Sequence, residues 1–179
     1  MTIKKEMATL AGGCFWCTEA IFQRLKGVTK VTPGYSGGWI ENPTYEQVCG
    51  EKTGHAESIQ IEFNPAIISF PTLLDIFFHL HDPTTINRQG NDVGPQYRSV
   101  IFYHSRQQKE TAEKIIKQFQ NSGKYPERIV TQVTPFTNFY RAENYHQNYY
   151  QRNSYQPYCQ IIIDPKIKKL MNQYRENIK

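Results

Sequence analysis

The sequence predicts an α+β fold, a sheet with helices packed mainly on one face. Three observations carry that expectation. Strand-like and helix-like segments interleave along the chain, and no βαβ nucleotide fingerprint accompanies them. Ser58-Ile59-Gln60-Ile61-Glu62-Phe63 alternates polar and apolar residues, the period of a half-buried strand. Residues 105–121 carry the period of a long amphipathic helix. The 179 residues suit one domain, 1–179, long enough to bury a core.

Taken in order, residues 7–11 read as a short strand running straight into Gly12-Gly13. A helix follows over 15–25 and ends near Gly27. Strands are expected at 28–35 and 58–63. Ser69 and Pro71 open a helix that reaches about His81, where Asp82-Pro83 stops it. After a strand at 98–103, Ser105 caps the helix of 105–121, and Gly123 lies just past its end. A strand at 129–133, a helix at 143–152 and a last helix opened by Asp164-Pro165 complete the set. Residues 34–54 and 82–97 lack regular patterning and are rich in Gly, Asn, Pro and Tyr. Loops of that length in a compact domain are often functional.

Composition narrows the class. Hydrophobic residues at 39% describe a globular chain and exclude a disordered one. The twelve tyrosines combine apolar area with hydroxyls, which suits a pocket holding both a methyl group and an oxygen. A net charge of +5 is modest and spread out. Its densest run, Lys166-Ile167-Lys168-Lys169, reads as a solvated helix face and not as a nucleic-acid patch. No segment approaches the ~20 apolar residues of a membrane span. Lys4 and Lys5 precede an apolar stretch too short for a signal-peptide core, and Leu10-Ala11-Gly12-Gly13-Cys14 lacks the core a lipoprotein signal needs. A cytoplasmic protein is expected. Four cysteines then point to thiol chemistry more than to a disulfide framework.

Cys14 stands where a strand passes through two glycines into a helix. Unpaired N–H groups and the positive end of the helix dipole favour a thiolate there. Phe15 and Trp16 can form an apolar wall beside it; ordinary core packing is the other reading for all three. Cys17 completes a Cys-x-x-Cys, and in a helical first turn that spacing is compatible with a disulfide. A thioredoxin-like dithiol, a zinc site and a nucleophile with a nearby resolving thiol all remain open. The zinc reading has only Cys49 and His55 for a second ligand pair, a poor one, and no His-x-x-x-His spacing exists, so no metal is assigned. Glu57, entering a strand after Gly54-His55-Ala56, donates a proton if burial raises its pKa, and is an exposed carboxylate otherwise. Tyr45 and Tyr97 can supply hydroxyls to the same pocket.

These residues resemble the A-type peptide methionine sulfoxide reductases. The matching runs are Gly13-Cys14-Phe15-Trp16, Gly34-Tyr35-Ser36-Gly37-Gly38, Pro43-Thr44-Tyr45-Glu46-Gln47-Val48-Cys49 and Gly54-His55-Ala56-Glu57. His81-Asp82-Pro83-Thr84-Thr85 through Asn91-Asp92, Gln96-Tyr97-Arg98-Ser99 and Glu143-Asn144-Tyr145-His146-Gln147 continue the family order. The resemblance implies a ferredoxin-like two-layer α/β sandwich with a central mixed or antiparallel sheet. It implies reduction of methionine S-sulfoxide, free or in proteins, with Cys14 as nucleophile and Glu57 as acid. It makes Phe15 and Trp16 the cradle for the substrate methyl, Tyr45 and Tyr97 hydrogen-bond partners of the sulfoxide oxygen, and Asp92 a substrate-binding residue. No bound cofactor is implied, only an external dithiol such as thioredoxin or dithiothreitol. The expected partners are thioredoxin and oxidised proteins, with no nucleic acid and no membrane, and the protein is expected to be a monomer.

The resolving thiol is open between Cys17, Cys159 and an external thiol acting directly. Many family members carry the resolving cysteine in a mobile, glycine-rich tail, whereas Cys159 here precedes an apolar run and a helix. Cys49 is read as structural. A general dithiol–disulfide exchange enzyme using Cys14 and Cys17, and a non-catalytic module binding oxidised methionine, are the rival functions.

Overall fold

The computed structural model describes residues 5–179; Lys4 and the three residues before it lie outside the described residues. The chain runs β1 (Glu6–Ala11), α1 (Phe15–Phe22), β2 (Val28–Ser36), α2 (Tyr45–Cys49), β3 (Ala56–Phe63) and α3 (Phe70–Leu80). A small hairpin of β4 (Arg88–Gln89) and β5 (Asp92–Val93) follows, then β6 (Val100–Tyr103), α4 (Arg106–Asn121), β7 (Gln132–Pro135), β8 (Tyr140–Arg141), α5 (Tyr149–Asn153) and α6 (Asp164–Gln173). The main sheet is mixed, in the order β7-β6-β1-β3-β2-β8. β1 pairs antiparallel with both β3 and β6, β2 antiparallel with β3, and β6 parallel with β7.

Strand alternation sets the faces. Ala8 and Leu10 of β1, Ile59, Ile61 and Phe63 of β3, and Ile101 of β6 join α1, α3, α4 and α6 in the main core. Fully burying each such aliphatic side chain contributes about 1.5–3 kcal/mol. The opposite face carries only a small cluster of Ala11, Ala56, Val100 and Phe102 under Phe136. Helices therefore sit mainly on one face, as the sequence predicts.

The expected helices at 69–81 and 105–121 form, with Ser69 and Ser105 each accepting a backbone N–H at the cap. Several boundaries differ, three of them for a visible local reason. α1 stops at Phe22 instead of residue 25, because Arg24 and Leu25 donate three residues back, to Ile21 and Phe22, and tighten the end. The strand expected at 129–133 begins only at Gln132, since Ile129 N–H is taken by the Gln120 side chain and Val130 N–H by the Pro83 carbonyl. The helix expected at 143–152 is broken: a 3-10 turn at Asn144–His146 and α5 are separated by Asn148 at φ +53°. The two unpatterned stretches hold short elements. Residues 34–36 extend β2, a Thr44–Gln47 capping box starts α2, and 82–97 contains the β4–β5 hairpin and a 3-10 turn at Pro95–Tyr97.

The tail is packed. A π-helical turn at Cys159–Ile163 leads directly into α6, and Cys159, Ile163 and Leu170 are buried. Lys166, Lys168 and Lys169 lie on α6. Among the described residues, no helix is long and apolar enough to cross a membrane.

Candidate active site

β1 ends at Ala11, and Gly12-Gly13 turns the chain into α1 with Cys14 as its N-cap residue. Gly13 sits at φ +88°, and a Cβ there would stand 2.5 Å from Cγ of Gln89, so only glycine makes this turn without strain. Cys17 lies one turn on, its N–H donating to the Cys14 carbonyl at 3.1 Å. Cys14 is 8% exposed and Cys17 1%, and both sit in one buried apolar cluster. Burial pushes the Cys14 thiol well above its ordinary value, and the Cys17 sulfur and Glu57 add to that. The Cys14 thiol instead holds Cys17 down to about 7. The expectation that the helix start lowers Cys14 is corrected: burial opposes it there, and of the two thiols Cys17 is the one held down.

Glu57 reaches the thiols through the sheet. In β3, residues 57, 59, 61 and 63 share the face that meets the helices. Glu57 pairs in register with Tyr35 of β2. Continuing the β1–β3 register two places past Leu10–Ile59 brings it level with Gly12. The carboxyl is 2% exposed and accepts the Phe15 N–H on Oε2 at 3.0 Å. Burial raises it to about 8 despite that hydrogen bond, with Asp92 and Cys17 adding to the rise. It therefore holds a proton at neutral pH, and the reading of an exposed carboxylate falls away.

Tyr45 opens α2, its N–H donating to Glu143 at 2.8 Å. Tyr97 ends the 3-10 turn and packs against the cluster of Cys14, Cys17 and Cys159. Burial raises both hydroxyls, and both feel Glu57. Asp92 on β5 accepts the Tyr158 hydroxyl at 2.9 Å, and that same hydroxyl stands 3.8 Å from the Cys17 sulfur. Trp16 donates its indole N–H to Nδ1 of His146 at 3.0 Å, stacks on Tyr149 at 3.6 Å and 4°, and meets Tyr158 edge-on. Phe15 is fully buried behind it, against Tyr35 and His146. Burial lowers His146, keeping it a neutral acceptor for Trp16.

The residues expected at the site thus converge where β1 ends and β3 begins. Cys159 is completely buried in the apolar cluster that includes Cys14 and Cys17, and Cys49 is half-buried on α2. All four cysteines are free thiols. No cluster of metal-ligating side chains occurs among the described residues. Sequence reasoning passed over Glu19, His146, Tyr149 and Tyr158. His146 stood in a quoted family run and Tyr158 beside Cys159, which was signal enough to examine them; nothing in the chain order marked Glu19 or Tyr149.

A thiol pair at a helix start, with a buried carboxyl that accepts the N–H of the residue after the first thiol, is the constellation of a cysteine-dependent oxidoreductase. The family model "Peptide methionine sulfoxide reductase" matches residues 6–178. The peptide methionine sulfoxide reductase MsrA of Sulfolobus acidocaldarius is 57% identical over 169 residues, covering 94% of this chain and 95% of that protein. Mxr1 from Saccharomyces cerevisiae in reduced form aligns with a TM-score of 0.80 at 38% identity, covering 87% of this chain and 90% of that one. Mxr1 in complex with Trx2 aligns at 0.57 and 30% identity, over 83% and 87%. The chain belongs to the peptide methionine sulfoxide reductase family, A type.

Proposed function

We propose that this protein reduces methionine S-sulfoxide, free and in proteins, at Cys14, with thioredoxin as the recycling dithiol. The observation that carries the reading is Glu57: a buried, protonated carboxyl anchored at 3.0 Å to the backbone of the residue after Cys14. A sulfoxide oxygen leaves poorly unless protonated, so a thiol that attacks sulfur needs an acid beside it. The Phe15 N–H occupies Oε2, which leaves the other oxygen to carry the proton.

The steps balance as follows. Cys14 passes its proton to the Cys17 sulfur and attacks the sulfoxide sulfur while Glu57 protonates the oxygen. Oxygen transfer then releases methionine and leaves a sulfenic acid on Cys14. A second thiol condenses with it, losing water and forming a disulfide, which an external dithiol reduces. Cys17 is the resolving thiol this geometry supports, since it lies one helical turn from Cys14 in the same buried cluster. Cys159 is locked in the π-helical turn. Trp16 and Phe15 wall the methyl group, Tyr45 and Tyr97 bind the oxygen, and Asp92 holds the substrate side through Tyr158.

The strand order β6-β1-β3-β2, with α1 and α3 in the two crossovers, supports a ferredoxin-like two-layer sandwich as the scaffold. One main core shared by α1, α3, α4 and α6 supports a single catalytic domain. Four free thiols suit a reducing, cytoplasmic compartment. The yeast relative's complex with Trx2 supports the choice of thioredoxin. The test is turnover of racemic methionine sulfoxide with thioredoxin. The S epimer disappears, the R epimer stays, and Cys14→Ser is inactive. Equal loss of both epimers, or insulin disulfide reduction without sulfoxide turnover, overturns the reading in favour of general dithiol exchange.

A further inference from the structure

Glu19 is 1% exposed in the middle of α1, three residues after Trp16 and so on the neighbouring part of the same helix face. A carboxylate buried there is costly unless its oxygens are satisfied. Two of the three donors that satisfy them come from one segment. Oε1 accepts the Asn148 N–H at 2.8 Å and the Gln23 side-chain amide at 3.1 Å, and Oε2 accepts the Tyr149 N–H at 3.3 Å. Asn148 is the residue held at φ +53° where the expected helix breaks, and α5 starts at the next position. A helix of five residues does not hold its own direction in water, so an anchor must impose it.

That direction matters because Tyr149, the first residue of α5, lies flat on Trp16 at 3.6 Å and 4°. Trp16 is otherwise held at its indole N–H by His146 and met edge-on by Tyr158, neither of which lies flat on its face. An in-plane hydrogen bond leaves the ring free to tilt; a stacked face removes that freedom. We infer that Glu19 is a positioning residue for the substrate methyl pocket, anchoring the start of α5 so that Tyr149 backs the indole of Trp16. The inference rests on the reading of Trp16 as the wall against the methyl group.

The test compares methionine S-sulfoxide with ethionine S-sulfoxide in single-turnover saturation curves, for the parent and for Glu19→Gln, Tyr149→Ala and Trp16→Ala. Glutamine keeps one acceptor and turns an amide donor toward the α5 N–H groups. A methyl pocket with a fixed wall discriminates against one extra methylene by about tenfold or more. Glu19→Gln is expected to raise the half-saturating concentration for the methyl substrate about tenfold, with a smaller change in maximal rate, and to narrow the methyl-to-ethyl preference at least about threefold. Tyr149→Ala removes a half-buried ring, leaves the core intact and is expected to narrow the preference equally, which keeps the test decisive if Glu19→Gln folds poorly. Because both act through one contact, the double variant is expected to be no worse than the poorer single one. Glu19→Gln or Tyr149→Ala with the parent's preference, or an equal loss on both substrates, overturns the inference. An unchanged preference in Trp16→Ala overturns the underlying reading of Trp16, and the inference with it.

Discussion

Replacing Glu57 by glutamine separates its chemical role from its structural one. Glutamine preserves volume and can still accept the Phe15 N–H, but it neither ionises nor donates an acidic proton. With its pKa raised to about 8, Glu57 is half protonated at that pH and only about 1% protonated two pH units above it. The single-turnover rate of the parent is therefore expected to fall about fiftyfold between pH 8 and pH 10. In Glu57→Gln the rate drops about 10²–10⁴-fold at neutral pH and that limb disappears. A loss below about tenfold would show that Tyr45 or Tyr97 delivers the proton. Stability gives an independent reading. The folded state holds this proton more tightly than the unfolded chain, so the Glu57 contribution is complete below the ordinary value of 4.5 and is lost as pH rises through about 8. Between those limits the parent loses about 1.4 kcal/mol per pH unit relative to a variant that cannot titrate. From about pH 5.5 to about pH 7.5 that is about 2.7 kcal/mol, or roughly 5–10 °C in melting temperature for a chain of this size. Thermal melts of both proteins across that range measure it. A melting-temperature difference that stays constant with pH refutes the raised pKa, whatever the kinetics show.

Three further outcomes are expected. After one turnover without reductant, mass spectrometry finds a Cys14–Cys17 disulfide; Cys17→Ser leaves a sulfenic acid on Cys14, and Cys159→Ser changes nothing. A Cys14–Cys159 disulfide in the parent would transfer the resolving role to the tail. Tyr158→Phe removes a hydroxyl that favours the ionised form of both thiols, so the thiolate absorbance of the pair titrates about one pH unit higher, and an unmoved curve would sever Tyr158 from the pair. Gly13→Ala forces a side chain to φ +88° against Gln89 and is expected to cost about 1–3 kcal/mol in denaturant unfolding, with a parental midpoint as the contrary result.

Local pattern was legible where it agreed with the global fold. The alternation in β3 put Glu57 on the same face as Ile59 and Ile61, and Ser69 and Ser105 capped the helices they were expected to cap. The failures at 129–133 and 143–152 share one cause, a side-chain polar group that takes backbone N–H groups out of the expected ladder. The Glu19 carboxylate takes two N–H groups that a continuous helix over 143–152 would have used, 129 and 130 residues away. The Gln120 side chain removes Ile129 from the ladder. The charge on the thiols failed for a related reason. A helix start argues for a lowered Cys14, but which sulfur of two ionises depends on how deeply each is buried and what each touches. Spacing told that two thiols were near one another; it carried no information on their difference.

That difference bears on the whole cycle if Cys17 resolves. A thiol that titrates near ambient pH is the best attacker of a sulfenic acid, and Cys17 is held to about 7. The disulfide it forms is then asymmetric. In thiol–disulfide exchange the sulfur of lower pKa leaves faster. An incoming dithiol that strikes Cys14 expels the Cys17 sulfur, whose ionised form Lys166 and the Tyr158 hydroxyl favour, whereas striking Cys17 expels the Cys14 sulfur, whose ionised form burial disfavours. Access favours the same choice, since Cys14 is 8% exposed and Cys17 1%. Thioredoxin is therefore expected to attack Cys14, and the mixed disulfide trapped with a thioredoxin lacking its own resolving cysteine should contain Cys14. Finding Cys17 in that adduct would mean that the exposure and acidity of the two sulfurs reverse once the pair is oxidised.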